Sequence, residues 1–130
     1  MTTLTTAPAV LSARQQELLE RRLESERRDT ELAIAQLSGD VSTVQNSRHD
    51  SPTDDEHDPE GTTLAFEQSQ AAALLRQATS RLDDIDHALS RIGAGTYGIC
   101  IGCGSAIGSA RLGARPYASQ CITCAQRASA

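Results

Sequence analysis

Residues 100–124 read CIGCGSAIGSARLGARPYASQCITC and hold every cysteine of a 130-residue chain. The cysteines form two pairs, Cys100-Ile-Gly-Cys103 and Cys121-Ile-Thr-Cys124, with seventeen residues between them. That interval lies inside the ~15–20 residues expected of a four-cysteine zinc site. Two residues between ligands let one tight turn aim two thiolates at the same ion, with Zn–S near ~2.3 Å. Gly102 and Gly104 flank Cys103, where such a turn needs small residues or positive φ. Four thiolates close the tetrahedron and leave no position for water, so the zinc they hold is structural rather than catalytic. Two disulfides, a redox CxxC motif and a [4Fe–4S] cluster are the competing readings. Nothing in the sequence directs secretion, which two disulfides would need, and no βαβ pattern accompanies the pairs; iron is a mis-loading of such sites.

Around the cysteines, residues 93–130 have too little core to fold alone. Tyr97, Ile99, Ile101, Ile107, Leu112, Tyr117 and Ile122 offer only a few contacts. Zinc is therefore expected to supply most of the folding free energy, on the order of 10 kcal/mol in small metal-folded modules. A short hairpin at the first pair and a short helix carrying the second are the expected local structures.

Upstream, the clearest periodicity lies between Thr62 and Ile92. Leu75, Leu82 and Leu89 recur every seven residues, and Ala71, Ala78, Ile85 and Ile92 fill the other seam position. This is a coiled-coil heptad pattern. Thr62 or Thr63 can cap its start, with Glu67 near capping-box spacing, and Gly93 and Gly95 end it. An earlier segment, residues 11–38, is rich in helix formers and carries Leu11, Leu18, Leu19, Leu23, Leu32, Ile34 and Leu37. Its stripe thins between Glu24 and Thr30, so the seam reads as interrupted. Ser12 is the expected N-cap, with Gln15 and Gln16 approximating a capping box, and Ser38-Gly39-Asp40 the expected stop.

The remaining segments complete the division. Residues 1–10 read as a flexible N-terminus and residues 39–61 as an acidic loop or tip with Pro52, Pro59 and five acids from Asp54 to Glu60. Residues 11–38 and 62–92 are the two helices, and residues 93–130 the finger. The fold class is mainly α: an antiparallel two-helix coiled-coil hairpin with a small C-terminal four-cysteine zinc finger. An intermolecular coiled coil is the competing arrangement. Phe66, the only Phe, is expected to pack at the tip end of the helix pair.

Composition agrees with a thin architecture. Leu, Ile, Val and Phe total 24 of 130 residues and there is no Trp, so a thick globular core is excluded. No long apolar run could span a membrane, and the N-terminus lacks a signal-peptide pattern, so an intracellular, cytoplasmic chain is expected. All twelve basic residues are Arg, the net charge is −5, and the isoelectric point is near 5.1. Phosphate neutralisation on nucleic acid is disfavoured by that balance, so no direct sequence-specific DNA binding is expected. His49, His57 and His87 read as solvated. Arg111, Arg115 and Arg127 lack aromatic partners for base stacking. Catalysis by the acidic run is disfavoured, because shifting carboxylate pKa values needs a pocket that this chain has no core to build.

These residues resemble the TraR/DksA family. The resemblance rests on Arg81-Leu82-x-x-Ile85-x-x-Ala88-Leu89-x-Arg91-Ile92, then Gly95-Thr96-Tyr97-Gly98-x-Cys100-x-x-Cys103-Gly104, and on Ile107, Arg111-Leu112-x-Ala114-Arg115-Pro116 and Cys121-Ile-x-Cys124-Ala125. It covers about 50 residues closely, in the manner of a short, actinobacterial-like member. It implies a C4 zinc finger at the base of a long antiparallel coiled coil, in a non-enzymatic transcription regulator that binds RNA polymerase and inserts its tip into the secondary channel. Members carry Asp-x-x-Asp-x-Ala at that tip. Here Asp55 and Asp58 match the two acids, with Asp54 and Glu56 beside them as further polymerase-directed carboxylates, while Glu60 takes the alanine position. Some members respond to a guanosine tetraphosphate alarmone through basic residues that are not placed residue by residue in this chain, and the absence of Lys counts against carrying that property over. A zinc-finger DNA-binding protein and a thiol redox or metal-handling protein are the alternative functions.

Overall fold

A computed structural model describes residues 11–50 and 59–129, with side chains described over 11–40 and 62–129. Its elements are helices α1 (Ala13–Asp50), α2 (Pro59–Ala94), α3 (Ser109–Ala114) and α4 (Ile122–Ser129). Helices α1 and α2 form the antiparallel hairpin, and α3 and α4 belong to the finger. Among the described residues no helix is long and apolar enough to cross a membrane.

The start of α1 is fixed by a true capping box. Ser12 Oγ accepts from the Gln15 amide at 3.1 Å, and the Ser12 amide donates to Gln15 Oε1 at 2.8 Å, so Gln15 fills the box fully. The end of α2 is a Schellman motif. The Gly95 amide donates to the Ile92 carbonyl at 3.2 Å and the Thr96 amide to the Arg91 carbonyl at 2.9 Å, with Gly95 at φ 78°. Gly93 sits inside the helix, so Gly95 alone makes the stop.

Two helix boundaries differ from the sequence reading. Helix α1 passes through Ser38-Gly39-Asp40 and continues to Asp50. A mid-helix glycine costs about 1 kcal/mol, and it ends a helix only where φ turns positive, which Gly39 does not do. Helix α2 begins at Pro59 rather than Thr62, because the first helical turn needs no amide donor there.

The chain divides into two compact units, one of residues 11–27 with 83–129 and one of residues 28–50 with 59–82. In the first, Leu23, Ile85 and Ala88 of the helix pair share one buried cluster with Tyr97, Cys100, Ile107, Leu112 and Ala118 of the finger. The base of the hairpin and the finger thus have a common core. Arg27 and Asp86 tie the two helices beside it, Nε to Oδ1 at 2.6 Å.

In the second unit, Ala71, Leu75, Ala78 and Leu82 are half-buried, and Thr30 is buried. The α2 register therefore stands as expected. The α1 stripe stands at Leu11, Leu19, Leu23, Ile34 and Leu37, which are buried or half-buried. Its interruption, however, is filled by half-buried Glu26, buried Thr30 and half-buried Ala33, and Leu18 and Leu32 are 53% and 63% exposed. Leucine content is a poor guide here because polar residues occupy core-facing positions. Phe66 is also exposed, at 68%, contrary to expectation.

Burial sets the expected outcome of substitution. Ile85→Asp buries an unpartnered carboxylate at a fully enclosed position and should cost on the order of 3 kcal/mol or more. Gln77→Asp and Asp83→Asn, at exposed positions of the same helix, should stay within about 0.5 kcal/mol of wild type. Urea denaturation of the zinc-loaded chain checks this; equal losses at both kinds of position would reject the register.

Candidate metal centre

The finger is built so that backbone turns bring four sulfurs together. A short antiparallel bridge pairs Ile99 with Ala106, the Cys100 amide donates to the Ser105 carbonyl at 2.7 Å, and the Ile107 amide to the Gly98 carbonyl at 2.8 Å. This hairpin carries Cys100 and Cys103. The second pair lies at the start of α4, with Cys121 just before the helix and Cys124 in its first turn. The Ile101 amide bonds the Ser119 carbonyl at 2.9 Å and so stitches the two pairs' segments together. The expected hairpin and short helix are both present.

The four Sγ atoms lie within 4.8 Å of one another. A tetrahedron with Zn–S bonds of ~2.3 Å has sulfur–sulfur edges of about 3.8 Å. The Cys103–Cys121 separation is 3.8 Å, an edge of that size and far beyond a disulfide bond. All four cysteines are free thiols. Cys100 is buried, Cys121 and Cys124 are half-buried, and Cys103 is exposed. The donor set fits a structural zinc ion, held by Cys100, Cys103, Cys121 and Cys124.

Backbone donors prepare the sulfurs for negative charge. The Gly102 amide points at Cys100 Sγ at 3.3 Å and the Cys124 amide at Cys121 Sγ at 3.4 Å. The Cys100 thiol is drawn down to about 6, with the Cys121 backbone as the largest contributor. Cys103 is lowered by the backbone and hydroxyl of Ser105. Cys124 is pushed up to about 12 by the crowded sulfurs of Cys121, Cys100 and Cys103. Four thiolates so close repel one another, and a divalent cation removes that repulsion.

The two glycines flanking Cys103 serve different ends. At Gly102 a Cβ would lie 3.2 Å from Cys124 Sγ, so the requirement there is close approach. At Gly104 it is a positive φ of 76°. Ser105 is a supporting residue that the sequence reading passes over; a small polar residue two places after a ligand is the signal that could find it. The Tyr97 hydroxyl is another. It donates to the Pro116 carbonyl at 2.7 Å inside the core, and burial pushes its pKa up to about 12, so it remains a donor at physiological pH.

Several sequence expectations need placing or correcting. Of the expected finger core, Tyr97, Ile107 and Leu112 are buried and Tyr117 is half-buried, but Ile99, Ile101 and Ile122 are exposed. The core is filled instead by the hairpin base and by fully buried Pro116. Arg115 lies 5.9 Å from the Tyr117 ring centre. Arg111 Nε donates to the Gln120 carbonyl at 2.8 Å, and His87 is exposed. The tip carboxylates Asp54, Asp55, Glu56 and Asp58 lie outside the described residues, as does His57.

Comparison with known proteins agrees with this geometry. Residues 95–130 match the prokaryotic dksA/traR C4-type zinc finger. An uncharacterized protein of Aquifex aeolicus (strain VF5) is 49% identical over 45 residues, which is 35% of this chain and 31% of that relative's length. The structure of transcription factor DksA2 from Pseudomonas aeruginosa superposes with a TM-score of 0.72 at 25% identity, covering 91% of this chain and 85% of that one. The DnaK suppressor protein of Agrobacterium tumefaciens C58 gives 0.56 at 27% identity, covering 92% and 98%.

The donor set fixes how the metal should behave. The purified chain should carry about one zinc, and Cys103→Ser should lower its affinity by orders of magnitude. Gly102→Ala should weaken binding less, since Cys124 Sγ must shift by only a few tenths of an ångström. Acid, not base, should release the ion: protons compete for thiolates, and bound zinc keeps Cys100 ionised even below its own pKa of about 6. A chromogenic zinc assay across a pH series checks all three; retention of zinc through pH 3 would contradict the acid release.

Proposed function

This chain belongs to the TraR/DksA family, and on that premise we propose that it is a non-enzymatic regulator of bacterial transcription that binds RNA polymerase through its coiled coil. The observation that carries the proposal is the joining of both family parts in one chain: the four-cysteine finger and a helical hairpin that follows a DksA-type transcription factor over 91% of this chain. A regulator of this kind acts in the cytoplasm, by inserting the hairpin into the polymerase secondary channel.

The physical division of labour follows from surface. The helical stem and finger offer area for docking, whereas the acidic run from Asp54 to Glu60 is short and offers mainly charge. The carboxylates of Asp54, Asp55, Glu56 and Asp58 can still change the field around a catalytic metal or a basic channel residue. Glu60, standing where members have alanine, adds a further negative charge to that segment.

Co-purification of the zinc-loaded chain with core RNA polymerase tests the binding. Asp55→Asn combined with Asp58→Asn should leave polymerase affinity within several-fold of wild type and abolish the change in transcript output. Both quantities are measured on one preparation at one salt concentration, because charge-dependent binding varies with ionic strength. Regulation unchanged by the double substitution would make the acidic run a solvated linker; loss of binding would make it an anchor.

A further inference from the structure

Helix α3 ends in a way that its own backbone does not close. The Leu112 amide bonds the Gly108 carbonyl and the Arg115 amide the Arg111 carbonyl, but among the described residues no backbone amide reaches the Gly113 carbonyl. A helix of six residues cannot satisfy its last carbonyls from within. The donor comes from 91 positions away in the chain: Arg22 of α1 donates to the Gly113 carbonyl through Nη1. Arg22 is itself held by its own helix, Nε to Glu26 Oε2 at 2.9 Å. One planar group thus spans two acceptors, with Glu26 fixing the plane and Nη1 left directed at α3. The sequence neighbours of this pair, Leu23 and Leu112, are fully enclosed members of one buried cluster. Three residues after Gly113, the Pro116 carbonyl accepts from the Tyr97 hydroxyl at 2.7 Å. The exit from α3 is therefore held twice, by α1 through Arg22 and by the segment following α2 through Tyr97.

We propose that Arg22 is a positioning residue: it fixes the angle at which the finger stands on the hairpin base, so that stem and finger meet polymerase as one preformed surface. For its consequence this inference rests on the polymerase-binding reading above; for its geometry it rests on the contacts of Arg22 alone. Burial of Leu23 and Leu112 supplies attraction without direction, and a side chain in such a cluster can turn while it stays buried. A bond from a guanidinium to one carbonyl has direction, and the cation also lies at the negative end of α3. A surface whose two parts are already set relative to one another loses less freedom on binding. Arg22 needs no contact with polymerase for this effect. Lysine replaces it only in part, because an ammonium on a flexible stem has no plane for Glu26 to fix.

The test uses the full zinc-loaded chain, labelled with 15N, beside Arg22→Met, Arg22→Lys and Glu26→Gln. Residual dipolar couplings of residues 109–114 and of residues 13–27 report how α3 is oriented on α1. In the wild type both sets should fit one alignment tensor. In Arg22→Met the α3 couplings should shrink about twofold relative to those of α1, through averaging over several orientations. Arg22→Lys and Glu26→Gln should lie between Arg22→Met and wild type, with zinc content the same in all four. Affinity for core RNA polymerase should fall about tenfold in Arg22→Met and about threefold in Arg22→Lys. Couplings in Arg22→Met that keep the wild-type orientation would overturn the proposal. So would averaged couplings with polymerase affinity unchanged. A tenfold loss of affinity with unchanged couplings would make Arg22 a direct polymerase contact, which equally overturns it. A wild-type chain that does not bind polymerase overturns the function proposed above and not this geometry, which the couplings then decide alone.

Discussion

Cys100 stands in two structures at once. Its sulfur is one of the four that hold the zinc, and its side chain is a member of the buried cluster that joins the finger to the hairpin base, at 2% exposure. Every other feature of this unit leans on that double membership. The finger has no apolar centre sufficient for itself, and the helices have a seam rich in alanine. Each borrows from the other: Leu23, Ile85 and Ala88 give the finger a floor, while Leu112, Ile107 and Tyr97 close the end of the helix pair. The metal centre is therefore packed into the core of the hairpin base, and loss of the ion is expected to loosen both.

Much of this is legible in the sequence, for physical reasons that also explain the failures. Cysteine spacing is a local signal tied to a fixed coordination geometry, so the four ligands can be read directly. The α2 seam is equally clear, because Leu75, Leu82, Ile85, Leu89 and Ile92 follow a strict seven-residue period. The α1 seam is obscured because Glu26 and Thr30 occupy positions that a hydrophobic reading leaves blank. Leu18 and Leu32, conversely, point away from the buried face. Where a metal replaces a core, alternation of apolar residues carries little information, which is why Ile99, Ile101 and Ile122 are exposed against expectation.

Helix ends are legible only where a cap is chemically specific. Gly95 needs its left-handed conformation and Ser12 needs Gln15, so both act as boundaries. Gly39 has no positive φ, and no neighbouring atom lies within 4 Å of the place a Cβ would take, so α1 passes through it. Pro59 reads as a loop residue because proline breaks helices from within, yet it opens one without cost.

The Arg27–Asp86 pair has a consequence for evolution of length. Both side chains are more than a third exposed, so the pair adds little stability, about 0–1 kcal/mol. Its effect is on register: a seam that alternates Ala with Leu matches itself after a slip of one heptad, and a charged tie between named positions removes that degeneracy. One heptad added to each helix beyond this pair lengthens that helix by about 10 Å and leaves the Arg27–Asp86 contact as it is. Helix length can thus vary in whole heptads, like marks on a ruler, while the metal-bound unit stays the same.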